Sequence, residues 1–527
     1  MKRIRMTSAL FALIALTVGG PAHTQFENVG TIDFPTSATE EAQQHFLRGV
    51  AILHSFGWKQ AIEQFRAAQA LEPDFALAYW GESLSYNHPL MLEADADSPR
   101  EALARLGATR EERLAKAPTA RERGLLEAVE VLWGEGSWQE RRVAYMDAMA
   151  RLYEQYPEDD EIATFHALSM LSGARALGDD SLRLEMRAGA IALGVLERNP
   201  SHPGAAHFVI HAFDDPLHAP IALPAAYVFS EIAPAVSHAR HMPTHIFIQH
   251  GMWDLVSTGN QSAYDAAQDL WQPGDSVGDA VHALDWGQYG DLQRGDYEKA
   301  RLWIDRLEAI IEASESQARA ISTLPLLEAR YVVETEEWRI DAITDETSPH
   351  TLLATALSAV RTGDVETALM AEEALARRVA DGDSGGNTRP GMGQRWVQVM
   401  QKEVAALVRL AQGDGDGAVR FMDEALAIVA TIRPPNGAAD PVKPAYELYG
   451  EILLELGRPA DAVAKFEMSL LRMPNRPRSV LGLARALEQM GDADGAAEQY
   501  EILNAIWDGR DSFTGLQEAR RFLMSRN

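Results

Sequence analysis

The sequence predicts an all-α solenoid of stacked antiparallel helix pairs, and three observations carry the prediction. Histidines recur 34 residues apart, as His54 and His88, His207 and His241, and His211 and His245. A pattern of small and large apolar residues at fixed offsets stands whole near both ends of the chain. Helix formers such as Ala, Leu, Glu and Arg dominate a chain of 527 residues, ample for a large core. A repeat of this length is one helix-turn-helix unit, which cannot bury its apolar face alone and stacks on its neighbours. Residues one period apart then sit side by side on adjacent helices, so the histidines form rows along one face.

The chain opens with a basic stretch (Lys2, Arg3, Arg5), an apolar run from Ala9 to Val18, and the small residues Gly20 and Ala22. This reads as a secretory signal over residues 1–22, because the apolar run is shorter than the roughly 20 residues needed to cross a bilayer. No later segment is long and apolar enough to span, so the mature protein is expected to be exported with no stable membrane insertion. Cysteine is absent, which excludes disulfides, a lipoprotein anchor and thiolate ligands. The formal charge of −29 repels nucleic acid and favours cations, basic peptides or basic proteins. An acidic, solvated surface that keeps a helical protein soluble explains the same number.

Near the N-terminus, HFLRGVAILHSFGWKQAIEQFRAAQALEP carries Gly49, Ala61, Phe65, Ala68 and Pro73 in order. Gly450, Ala462, Phe466, Ser469 and Pro474 repeat the pattern near the C-terminus, and Ala484, Ala496, Tyr500 and Leu503 follow one period later. Small residues let the two helices of a unit approach, and proline ends the second helix. This pattern resembles the tetratricopeptide repeat family, which implies a curved superhelix with a concave ligand groove. Between the ends, Val256, Ala300, Ala368 and Ala418 continue the small position, each shortly after a turn. Trp58, Trp253 and Tyr297 mark the starts of second helices and are expected to pack there. The period breaks around residues 87–110, 178–183, 272–278, 381–393 and 433–443. The last two breaks, rich in Gly, Pro and Asn, are the best hinge or border candidates. Residues 23–335 are accordingly assigned to an N-terminal histidine-bearing region, 336–432 to a middle helical region and 433–527 to C-terminal repeats.

Eight of the 15 histidines lie between Ser201 and Gly251. His207 and His211, four apart on one helix, project from the same side and are suited to share an ion. His241 and His245 have the same spacing, with Pro243 between them to kink or start the helix. His282 and Asp285, three apart, add a layer with a carboxylate. The candidate metal ligands are therefore His207, His211, His241, His245, His282 and Asp285, with Asp214 and Asp215 as further orienting or ligating groups. Zinc or copper is the expected ion for such an all-nitrogen and oxygen set. Met242 and Met252 would add sulfur if they faced the site, but apolar side chains of this kind ordinarily serve the core. The resemblance to tetratricopeptide proteins implies that the positions held by these histidines face the groove. His54, His88, His238 and Trp286 are assigned to its ligand-binding lining, and His45 to the core.

A bland reading competes, in which histidines hydrogen-bond across helices and hold a polar layer together. A third has them contact an acidic or aromatic ligand. Catalysis has little support, since HExxH and GxxxxGK motifs are missing from the sequence, and a histidine-ligated metal with an open position is the less favoured, enzymatic reading. The strings SFGWKQAIEQFRAAQALEPDFALAYWGESLSYNHPL, HPGAAHFVIHAFDDP, HMPTHIFIQHGMWDL and HALDWGQYGDLQRGDY resemble a group of exported bacterial tetratricopeptide proteins, a likeness that imports no activity. The expected function is an exported, periplasmic or secreted, binding protein whose histidine-lined groove holds a metal ion or a small or peptide ligand. The alternative is a protein-interaction scaffold with structural histidines, partnered by an envelope protein or peptide.

Overall fold

The structure is a computed structural model that describes residues 28–91, 96–314, 317–382 and 392–526. The expected signal segment and part of the 381–393 break lie outside the described residues. Among the described residues there are 26 helices and no strand, and successive helices pack on one another along the chain. None is long and apolar enough to cross a membrane.

The first unit shows why the sequence pattern makes a helix pair. Glu40–His54 and Trp58–Leu71 are joined by a three-residue turn, and Ala76–Ser85 follows. Phe65, fully buried, fills the space over two glycines, Gly49 on the helix before it and Gly81 on the helix after it. A Cβ on either would lie 2.8 or 2.3 Å from its ring. The same wedge recurs at the other end, where Phe466 on Pro459–Arg472 sits over Gly450 of Ala445–Glu455 and Gly482 of Pro477–Met490. Glycine is needed there for close approach. Gly81→Ala is therefore expected to lose about 1–3 kcal/mol to overpacking, outweighing the ~1 kcal/mol helix-propensity gain of alanine. A urea midpoint equal to or above that of the parent would contradict the contact.

Trp58, Trp253 and Tyr297 each open a helix, as their spacing predicts. Val256, Ala300, Ala368 and Ala418 are all fully buried. His45 is a correction, since it is half-buried and bonded to Gln64 Oε1 at 2.9 Å, outside the core.

The array returns on itself. Trp253 Nε1 donates to Asn475 O (3.0 Å), and Trp507 Nε1 donates to Gln293 O (3.0 Å). Arg476, fully buried, joins Glu447 and Glu334 at 2.7 Å each and Tyr289 Oη at 3.2 Å. The stretch 433–443, marked in the sequence by Pro, Gly and Asn, packs over the histidine-bearing helices. Pro435 O accepts from Gln249, Asn436 donates to Asp214, and the Gly437 backbone presses on Trp286. The main buried cluster runs from Val29 to Tyr289 and takes in Ala439 from this stretch.

Candidate metal centre

Four helices place the histidines. Pro203–Ala212 carries His207 and His211; its first residue is proline, and His202 caps it by accepting from Ala205 N through Nδ1 at 3.2 Å. Asp215 then ends the turn, accepting from the backbone of Leu217 and His218 at 3.0 and 3.1 Å. Its neighbour Asp214 is thereby left to reach across to the next pair. Pro243 splits that pair into Ser237–His241 and Pro243–Gln249, so His238 and His241 sit on one short helix and His245 on the next. His282 comes from Gly278–Gln293.

The rings gather into two triads. Ligand atoms of His207, His211 and His238 lie within 4.8 Å of one another, and the same holds for His241, His245 and His282. In the first triad all three Nε2 atoms are buried without a hydrogen-bond partner. His207 Nδ1 donates to the His54 carbonyl at 2.6 Å, which leaves its Nε2 as a bare lone pair. Phe229 stacks on His207 at 5.1 Å and Phe56 meets it edge-on at 4.4 Å, so water is excluded from that side. Phe56 adopts a left-handed backbone (φ 59°), a strained state for a bulky residue that here places its ring among His207, His211 and His238.

In the second triad two further tautomers are fixed. Asp214 accepts from His245 Nδ1 at 2.7 Å. Asn260 donates its amide to Val256 O at 2.8 Å, so its oxygen faces His241 Nδ1 and accepts at 2.7 Å. The two Nε2 atoms face each other at 3.0 Å, as bare lone pairs when both rings are neutral. Two lone pairs at this distance repel unless a cation lies between them. Burial pushes His207 down to about 3 and His211, His238, His241 and His282 well below the ordinary imidazole range. The rings are accordingly neutral at pH 7, the state that ligates.

Several assignments made on the sequence need correction. His207, His211, His241, His245 and His282 divide between two triads, His207 and His211 in the first and His241, His245 and His282 in the second. Asp285 is not among the ligating groups: its carboxylate pairs with Arg330 at 2.7 Å, and Asp214 supplies the carboxylate instead. His238, expected in a ligand groove, completes the first triad. Trp286 forms a wall of the second, 4.2 Å from His245 between ring centres. His88 packs on Trp58, 4.8 Å apart between ring centres, and belongs to neither triad. His54 Nε2 meets Glu161 at 2.8 Å, with His202 on the other carboxylate oxygen at 3.2 Å. The histidines are thus enclosed and not displayed along an open groove, because the tail of the array folds over them. The cleft between Phe56, Trp58, Leu84, Tyr145 and Phe165 admits only about 20 Å³ of water-sized space, so it is a packing gap and not a ligand chamber. Met242 is core and fully buried, and Met252 accepts from Tyr227 Oη at 3.8 Å.

Sequence reasoning missed His202, Glu161 and Asn260. A histidine just before Pro203 is a legible cap position, whereas Glu161 and Asn260 sit among many carboxylates and amides with nothing to single them out.

Fold and site together define an all-α protein of stacked helix pairs with a closed histidine-rich interior. No sequence profile of a known family matches the chain, and no curated protein sequence matches it. Among solved structures it is similar to that of Ypp1, with 10% identity and TM-score 0.44, covering 92% of this chain and 88% of that one. The APC/C hetero-tetramer Cut9-Hcn1 (13% identity, TM-score 0.32, 94% and 78%) and yeast Tom70 (12% identity, TM-score 0.29, 93% and 90%) are also similar. Likenesses at these scores say nothing of ligand or partner.

Proposed function

We propose that this chain is an exported binding protein that holds transition-metal ions among its buried histidines. The observation that supports this most strongly is the pair of bare Nε2 atoms of His241 and His245, 3.0 Å apart. Both Nδ1 atoms are already committed to acceptors, so between two neutral rings no hydrogen bond explains the approach. Donors bound at 2.0–2.1 Å to one tetrahedral ion stand about 3.3 Å apart, close to the spacing found. Asp214 and Asn260 play the part of the outer partners that orient metal-bound imidazoles. Neutral nitrogen donors with no thiolate suit zinc or copper. The basic and then apolar opening of the sequence over residues 1–22 supports export to the periplasm or beyond. A scaffold whose histidines serve only as a polar layer would pair these nitrogens with donors, and His207, His211 and His238 leave theirs unpaired.

The test is elemental analysis of the mature protein, purified without a histidine tag or chelator, beside a variant with His207, His211, His241 and His245 all changed to alanine. At least one equivalent of zinc or copper is expected in the parent and none in the folded variant. Thermal unfolding of the parent should shift upward with that ion alone, because binding to the native state shifts unfolding by mass action. A parent that is metal-free and refuses both ions at micromolar concentration removes the proposal and leaves the interaction scaffold.

A further inference from the structure

The six histidines exceed what one ion takes. A structural zinc site is four-coordinate, and the rings separate into two groups of three, each with its own mutual approach within 4.8 Å. The groups abut: His211 and His245 are 6.0 Å apart between ring centres, and His238 and His241 6.1 Å. His238 and His241, one from each group, belong to the same five-residue helix. Each triad also has independent signs of being built for a ligand. The first has three buried Nε2 atoms without partners, and the second has the facing Nε2 pair.

We propose that the array is a dinuclear centre, with one ion held by His207, His211 and His238 and a second by His241, His245 and His282, joined by a small shared anion. The inference rests on the metal-binding reading above. Three protein donors leave each ion a position open, as in catalytic rather than structural zinc sites. Two dications surrounded by six neutral imidazoles would place uncompensated positive charge in a buried space, which is costly. Asp214 is the carboxylate that the structure brings to these rings, and it acts through His245. A hydroxide-class anion between the ions offsets that charge and fills both open positions, the arrangement of two-metal sites whose ions stand roughly 3.5–4 Å apart.

The experiment is copper reconstitution of the full mature chain, with copper counted by elemental analysis and unpaired spins counted by electron paramagnetic resonance. The parent should hold two copper(II) ions per chain with a spin signal well below its copper content, because bridged ions couple. His238→Ala and His282→Ala, one from each triad, should each hold a single copper with full spin signal, and that retained ion reports that the variant has folded. One copper per chain in the parent overturns the dinuclear centre while the metal-binding reading stands. Two coppers with full, uncoupled signal overturn the shared anion and place the ions apart. No copper or zinc at all overturns both readings.

Discussion

Lowering the pH from 7 to 4 is expected to unfold the metal-free protein, with its urea midpoint falling steeply once the pH drops below about 6.5. Burial lowers eight histidines in the fold: His54, His166, His207, His211, His238, His241, His282 and His350. In the unfolded chain each takes up a proton near 6.5. Below that value the unfolded state binds more protons than the native one, so stability is full above pH 6.5 and drains away as the pH falls toward the native values. His166 lies at about 4 and His207 at about 3. By pH 4 each accounts for a loss on the order of 3 kcal/mol, set against a total stability of roughly 5–15 kcal/mol for ordinary domains. Asp279, Glu403 and Asp440 are buried with raised values and act in the opposite direction, but the histidines outnumber them. Denaturation curves of the apo protein at pH 7, 6, 5 and 4 measure the effect, and a midpoint that stays level through pH 5 would show that these rings are not buried as neutral groups.

Arg476→Met should destabilise the protein by about 3–5 kcal/mol, the usual cost of removing one partner from a buried ion pair. Arg476 and Glu447 are both fully buried. Without the guanidinium, Glu447 keeps Lys443 at 2.9 Å and Ser479 at 2.6 Å, but Glu334 is left with only the longer Arg478 contact at 3.8 Å among its ion pairs. The lost bond to Tyr289 Oη matters for the site as well, since Tyr289 and His282 share the helix Gly278–Gln293. Weaker metal retention is expected alongside the lower urea midpoint. The double variant Arg476→Met with Glu447→Gln should lose less than the two single changes added together. A loss below about 1 kcal/mol for Arg476→Met would mean that the junction does not hold the array closed.

How much of this was legible depended on whether a feature is periodic. Phe65 and Phe466, with their small neighbours, state the helix pair in full, because contacts within a unit repeat at fixed spacing. The pairing of His207 with His211 follows equally from helical geometry. The division into two triads does not, because it turns on how sharply Pro243 redirects the chain and on where Gly278–Gln293 comes to lie. Asp285 stands three residues from His282 in the sequence, yet Arg330, 45 residues onward, claims it. Asp214 and Asp215 look alike in the sequence; one caps a turn and the other orients His245. Return of the tail over the histidines was likewise out of reach, since the curvature of a solenoid is the sum of many small packing rotations.

The bond from Asn436 to Asp214 spans 222 residues, and it is one of the contacts that fasten the chain over the chamber. Were an ion held there, such a clasp would make residence time a property of the protein as much as of the ion. It would leave only as fast as the clasp lets go, however labile its own bonds are. In a chain made from its N-terminus onward, the chamber also stays unfinished until the later repeats have arrived and docked, so occupancy would mark the completion of folding and not one of its early steps.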